Sequence, residues 1–420
     1  MSLTDEARIV IDELNISKVP TVAKDNKMNT ISKTMYHDIM MGYTAANRLE
    51  STNKISTERF HFKGENCPHR KEMLKKMGAG SNLCPPEVVN EAEEEIRYEI
   101  IYRTVMAGHK IKISFYLKEK DLLHYDGIQN RRIEAILIVI HLLLSCSLKN
   151  CSTEIDINFV FTDAKKVLPS SDMDILGPLH MNSGFATRCV PRGSIVIYRK
   201  EEWFKLLIHE GFHYFGLDSI LDNAHLSKKI ADLFQVDVSI LTPEAYVETW
   251  ARILNCYITG FYFTKGKSSF TEFKKYSTFF LELERTYSCF QLVKILAFMG
   301  LSYKDLISEG KIHEIKRKMY KENTNVFAYI VLGGILMNNY QEFLQWCNTN
   351  NSNTLRFTSR YKLDSFYQLI VESSQSRLLL SMIKLMKRRL IQLTSSKKRK
   401  FLIPSTRMTI TELDFNIANV

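Results

Sequence analysis

Alternation of apolar and polar residues is clearest in the middle of the chain. Ile96, Tyr98, Ile100 and Tyr102 repeat with period two, Ala107-Gly108 interrupts, and Ile111, Ile113, Phe115 and Leu117 repeat again. This spacing turns one side of each segment toward a core and predicts an antiparallel hairpin. Residues from about 127 to 148 are apolar without alternation, which predicts a buried helix. Ile155, Ile157, Phe159 and Phe161 alternate as a third strand, and Ser194-Ile195-Val196-Ile197-Tyr198 forms a fourth that runs into a helix starting near Lys200. Beyond Pro243 the pattern is helical, with breaks expected near Gly260, Lys265-Gly266, Gly300, Gly310 and residues 348–353. Residues 1 to about 90 are polar and weakly patterned. The expected class is α+β, a mixed sheet with a backing helix followed by a largely helical C-terminal half. The expected units are 1–94 of unclear fold, a sheet-containing core over 95–260, a helical subdomain over 261–376, and a basic amphipathic helix and tail over 377–420.

Composition fits a folded globular protein: 420 residues, 45% hydrophobic, 25% charged and 11% aromatic, with only 17 Gly and 9 Pro. These values exclude a disordered or collagen-like chain. The net charge of +11 is largely local, since eight Lys/Arg and no acid lie between Lys384 and Lys400. Nucleic acid is therefore not favoured as the main partner. Residues 377 to 393 read as an amphipathic basic helix, and Lys397-Lys398-Arg399-Lys400 as a basic cluster. Such segments make weak contacts with nucleic acid or acidic surfaces, or serve as a nuclear address; the plainer expectation is a last core helix with a solvated face.

The longest apolar run, Ala135 to Leu144, is too short to span a bilayer. Eight cysteines without a CxxC pair read as free thiols. The expected location is intracellular, cytoplasmic or nuclear.

The chemistry concentrates in Leu207-Ile208-His209-Glu210-Gly211-Phe212-His213-Tyr214-Phe215-Gly216. His209 and His213 lie four apart on a predicted helix, so both rings leave one face and can grip one ion. Glu210 stands beside the first His, in reach of water activated by such an ion. Gly216 sits where a helix would end. This is the HExxH pattern of zinc peptidases, expected to hold one Zn2+ per chain with a third protein ligand and an open position. A metzincin third His would fall at Ser219, so that subclass is excluded. Three acids remain open as the third ligand: Asp218, Glu244 and Glu248. The last two lie one turn apart on a helix that starts at Thr242-Pro243, with Thr242 expected as N-cap.

The downstream Glu-xxx-Glu, with its aromatic and Arg flanks (Tyr246, Trp250, Arg252), resembles the glutamate-zincin (gluzincin) family, and the anthrax lethal factor type of metallopeptidase in particular. The resemblance spans residues 95 to 260. It implies a zincin-like fold in which Glu244 is the third ligand and Glu248 supports a ligand His. It also implies that Glu210 is the general base and that Ser194, Ile195, Val196, Ile197 and Tyr198 form the edge strand pairing with an extended substrate. Asn182-Ser183-Gly184-Phe185 is similar to the substrate-groove loops of such enzymes. The stretch Tyr198 to Lys205, ahead of the motif, is similar to that of proteins encoded by large DNA viruses, which implies a viral, virion-packaged origin as one setting. The expected function is hydrolysis of peptide bonds in a protein or peptide. The alternative is a zincin-fold binding or structural protein without catalysis. With 19 Tyr in the chain, the residue that steadies the oxyanion is left open.

Overall fold

A computed structural model describes residues 2–15, 26–64, 67–78, 82–122, 129–148, 151–265, 268–396 and 401–415. Residues 127–128, Gly266 and the basic cluster 397–400 lie outside these. The weakly patterned N-terminus folds into β1 (Ser2–Leu3), α1 (Asp5–Leu14), α2 (Asn26–Ser51), β2 (Ser56–His61), α3 (Pro68–Gly78) and α4 (Pro86–Glu95). The hairpin follows as β3 (Ile96–Met106) and β4 (His109–Lys118), then the short α5 (Glu119–Leu122), the apolar α6 (Gln129–Cys146) and β5 (Glu154–Thr162). One-turn α7 (Pro178–Met181) and three-residue β6 (Gly184–Ala186) precede β7 (Arg192–Arg199), which leads directly into α8 (Trp203–Tyr214).

The main sheet has the order β2-β3-β4-β5-β7-β6. Its β2/β3/β4 and β7/β6 pairs are antiparallel, while β4/β5 and β5/β7 are parallel. The alternating Ile and Phe positions read from the sequence form one buried face, including Ile113, Phe115, Ile157, Phe159 and Ile197. Against it pack α2, α6 and α8. The opposite face carries a second core in which Tyr116, Val160, Val196 and Tyr198 meet Met73, Met77, Val88 and Ala92 of α3 and α4. The N-terminal segment thus contributes to every layer: α1 and α2 to the inner core, β2 to the sheet, and α3 and α4 to the outer face. Its pattern is faint because α3 and α4 each bury only two side chains.

The helical half comprises α9 (Ala224–Phe234), α10 (Thr242–Phe263), α11 (Phe270–Phe298), the small α12 (Tyr303–Ile307) and α13 (Lys311–Arg317), a π-helical turn over Phe327–Leu332, α14 (Gly333–Asn338), α15 (Tyr340–Asn350), α16 (Leu363–Ser374) and α17 (Arg377–Thr394). The expected break at Gly260 is absent, and α10 runs through it. Gly260 is needed for close crossing instead: a Cβ there would lie 2.4 Å from Ser277 Oγ and 2.7 Å from Ser277 N on α11. Gly260→Ala is therefore expected to destabilise the protein by about 1–3 kcal/mol through overpacking. An unchanged denaturation midpoint would refute this account of the crossing.

The four expected units share one core. Ala7, Ile39, Ile113, Trp250, Met386 and Ile410 belong to a single buried cluster. Helix α17 packs Leu379, Met382 and Met386 inward and leaves Lys384, Lys387 and Arg388 in solvent. Residues 401–415, expected as a tail, instead thread back into the interior, and Thr406 to Phe415 are mostly buried. This irregular backbone needs partners, which buried side chains supply. Glu202 accepts the N–H of Met408 at 2.7 Å and of Thr409 at 2.5 Å. Glu284 accepts from Thr409 Oγ1, Ile410 N and Thr411 N, and Asn255 donates to Thr411 O at 2.6 Å. The segment ends as β8 (Leu413–Asp414), paired with β1. Among the described residues, no helix is long and apolar enough to cross a membrane.

Candidate metal centre

Helix α8 begins at a buried left-handed residue, Glu202 (φ 59°), which Lys166 neutralises by an ion pair. It ends in a Schellman motif: Gly216 (φ 68°) donates to His213 O at 3.1 Å and Leu217 donates to Phe212 O at 3.0 Å. All twelve of its residues are buried, so His209, Glu210 and His213 face other protein groups rather than solvent. The facing element is α10, which starts at Thr242. Thr242 lies one residue inside the helix, after Leu241, and its hydroxyl meets that of Ser227 at 3.3 Å rather than capping.

Three ligand-type atoms converge where α8 and α10 meet. His209 Nε2 and His213 Nε2 lie 3.3 Å apart, and Glu244 Oε2 lies 3.2 Å from each. The outer ring nitrogens are held by the other two acids. Glu248 Oε2 accepts from His209 Nδ1 at 3.0 Å, and Asp218 Oδ2 accepts from His213 Nδ1 at 2.7 Å. Of the three acids left open by the sequence, only Glu244 reaches both Nε2 atoms; Asp218 and Glu248 orient the rings from behind. An ionised carboxylate only accepts, so each Nδ1 carries a proton, and each Nε2 is aimed inward at Glu244, donating to it when protonated and offering a lone pair when not. Once the Nε2 protons are lost, two lone pairs and a carboxylate oxygen converge at these separations, an arrangement that a cation among them would stabilise. His209, His213 and Glu244 can accordingly hold a metal ion.

The charges around this cluster are strongly biased. Burial alone would raise the Glu244 pKa, but His213 and His209 override it and hold the carboxyl well below the usual range. Burial likewise opposes charge on His213, yet Glu244 and Asp218 raise its pKa well above that of a free imidazole. Glu248 is wholly buried, with both oxygens 2.9 Å from Lys205 Nζ and Oε1 2.8 Å from Arg252 Nε. These cations outweigh burial and keep it ionised. Glu210 differs: burial and, against the two His, the nearby Glu244 charge raise its pKa. It lines a cavity of about 20 Å3 with His209, Lys205, Tyr329 and Met408, room for about one water molecule.

Tyr329 is a site residue that sequence reasoning missed. Its ring stands edge-on to His209 at 5.8 Å, and its hydroxyl accepts from Asn325 Nδ2 at 3.4 Å, leaving its own proton to donate. Burial and the charges of Glu244, Glu210 and Glu248 raise its pKa well above 10 and keep it protonated. It sits in the π-helical turn, an insertion that often marks functional positions. No local motif announced it.

Two expectations fail here. Ser194 to Tyr198 do not form the edge of the sheet, because β6 pairs with them through Gly184↔Ile197, Phe185↔Val196 and Ala186↔Ile195. The free edge on this side is β6, which Gly184 allows to lie close: a Cβ there would fall 2.6 Å from Val196 O. The cysteines are not all free thiols either. Cys151 and Cys189 form a disulfide with Cα atoms 4.6 Å apart, while the other six are buried and free. Parallel pairing of β5 with β7 brings the segments that precede these strands together. The bond anchors Cys189 next to Arg188, whose guanidinium reaches Glu244 Oε1 at 3.0 Å. Compared with known proteins, the chain matches no family model, no curated protein and no solved structure.

Proposed function

We propose that this chain is a zinc-dependent peptidase with a zincin-like arrangement of the gluzincin kind. One observation carries the reading: three ligand atoms separated by 3.2–3.3 Å. Ligands at 2.0–2.1 Å from a tetrahedral zinc lie about 3.3 Å from one another, so the donor set fits that ion. When bound, zinc supplies Lewis acidity that activates water and polarises an amide carbonyl near neutral pH.

The remaining work falls to side chains of this protein. Glu210, with its raised pKa and a carboxylate that makes no hydrogen bond to the described residues, takes the proton of the attacking water and returns it to the leaving amine nitrogen. Tyr329 donates its hydroxyl proton as a hydrogen bond to the oxygen on which charge develops. The open side of β6 offers backbone groups to an extended peptide. Lys205 and Arg252 hold Glu248, which fixes the tautomer and aim of His209.

The metal reading is tested by zinc content. Wild type is expected to bind one zinc per chain, and His213→Ala or Glu244→Gln to lose it. Asp218→Asn, which keeps the ligands but weakens the aim of His213, is expected to bind about 10- to 100-fold more weakly. Zinc retained at wild-type level by His213→Ala would sink the assignment.

A second reading, a metal-stabilised binding protein without catalysis, draws on one feature. The site is nearly closed: His209 is 3% and Glu210 6% exposed. A substrate can reach them only if part of the enclosing wall gives way, which includes Asn182 to Gly184, Tyr329 and Met408.

A further inference from the structure

A groove of about 1060 Å3 opens on the outer face of the sheet, where the starts of β4, β5 and β7 meet the end of β3. It lies beyond the part of that face covered by α3 and α4. Six cations line it: Lys54, Lys76, Arg103, Lys110, Lys112 and Arg192. Only three carboxylates, Glu72, Glu154 and Asp156, accompany them.

Pairing compensates only part of this charge; Arg103 reaches Glu58, outside the groove's lining, at 3.5 Å. Asp156 is taken by Lys76 at 2.8 Å, and Glu154 is shared by Lys110 at 3.6 Å and Arg192 at 3.4 Å. Lys112 has no carboxylate at ion-pair distance among the described residues. Strand register sets it directly opposite Arg103, with Asp156 on its other side. Like charges directly opposite in an antiparallel pair are destabilising, and this pair is half-buried at Lys112. Burial, with the neighbouring Lys76 ammonium, depresses the Lys112 pKa below that of a free lysine. An anion lying over Lys112 would supply the counter-charge it lacks and lie beside Arg103, which Glu58 alone among the described residues neutralises.

We infer that this groove binds an acidic stretch of polypeptide. Two features favour a peptide over a nucleic acid. The wall includes exposed Val105 and the edge of Ile111, which suit interspersed apolar side chains. Glu154 and Asp156 would oppose a backbone bearing a charge at every unit, whereas carboxylates spaced along a peptide can avoid them. The groove also ends at Thr187 and Gly193. Thr187 is followed by Arg188, which touches Glu244 at the metal centre. An extended chain laid along β6 and past Arg188 would therefore continue into the groove, which makes it a recognition site for the acidic flank of a substrate; that last link rests on the peptidase reading, while binding itself does not.

The test measures fluorescence anisotropy of a labelled peptide of alternating Glu and Ala, with a Gln-Ala peptide and a short single-stranded DNA as controls. The Glu210→Gln protein is used throughout so that nothing is cleaved. The Glu peptide is expected to bind and to be released by salt. Lys112→Glu, which faces Arg103 on one side and Asp156 on the other, should weaken it at least about tenfold, and Lys112→Ala, which introduces no like charge beside Asp156, should weaken it less. Zinc content of both Lys112 substitutions should match the parent. Equal binding of the Gln peptide, or Lys112→Glu binding as tightly as the parent, would overturn the proposal. So would DNA binding more tightly than the Glu peptide and being lost in Lys112→Glu. If the acidic peptide binds but wild type cleaves no peptide, the groove stands and the peptidase reading falls.

Discussion

Glu210→Gln is expected to bind zinc and fold as wild type does, while peptide hydrolysis falls by about two to four orders of magnitude. The geometry separates the two properties. The metal-facing atoms belong to His209, His213 and Glu244, and Glu210 only borders them, so replacing its carboxylate removes no ligand. A neutral amide of the same shape cannot take up a proton from water. The raised pKa of Glu210, driven by burial, is what a base near neutrality needs, and it vanishes with the substitution. Peptide products from a lysate digested by wild type, by Glu210→Gln and by wild type with chelator provide the readout. If zinc-loaded wild type yields no more products than Glu210→Gln does, the non-catalytic reading replaces the peptidase. The same comparison in the native cell excludes the trivial case of a missing substrate.

Glu248→Ala should be the most damaging single change to the fold at the site, costing roughly 3–5 kcal/mol. Its carboxylate is 0% exposed and is shared by Lys205, Arg252 and His209. Truncation leaves two cations buried without a counter-ion and frees His209 Nδ1. The loss should show as a lower denaturant midpoint at unchanged m-value, together with weaker zinc binding. Pairing the change with Lys205→Met, which removes one of the stranded charges, should recover part of it. A loss below about 1 kcal/mol would mean that the cations find other partners and that the clamp is not what organises His209. The sign with pH follows from the same contacts. Since the Glu248 pKa is depressed in the folded protein, its contribution is present above the ordinary carboxylate range and drains away in acid.

Much of the site was legible in the chain because its signals are periodic and local. Residues four apart on a helix share a face whatever surrounds them, which is why His209 and His213 were readable as a pair. Alternation in β3, β4, β5 and β7 was readable for the same reason, as was the helix stop at Gly216. The α+β class followed from the order of those segments. What tertiary structure decided are the relations between segments that no period records. Glu244 rather than Glu248 or Asp218 meets both Nε2 atoms because of the crossing of α8 and α10, set by side chains packed between them. Ser194 to Tyr198 became an interior strand because three residues upstream fold back as β6, a segment too short to carry an alternating pattern. Cys151 and Cys189 bond because parallel strands bring their segments side by side, not because of their spacing. Tyr329 enters the site through a π-helical turn, and residues 401–415 enter the core through buried Glu202 and Glu284. Both placements answer the need of buried polar groups for partners. That need is met across the whole fold and leaves no mark on neighbouring residues in the sequence.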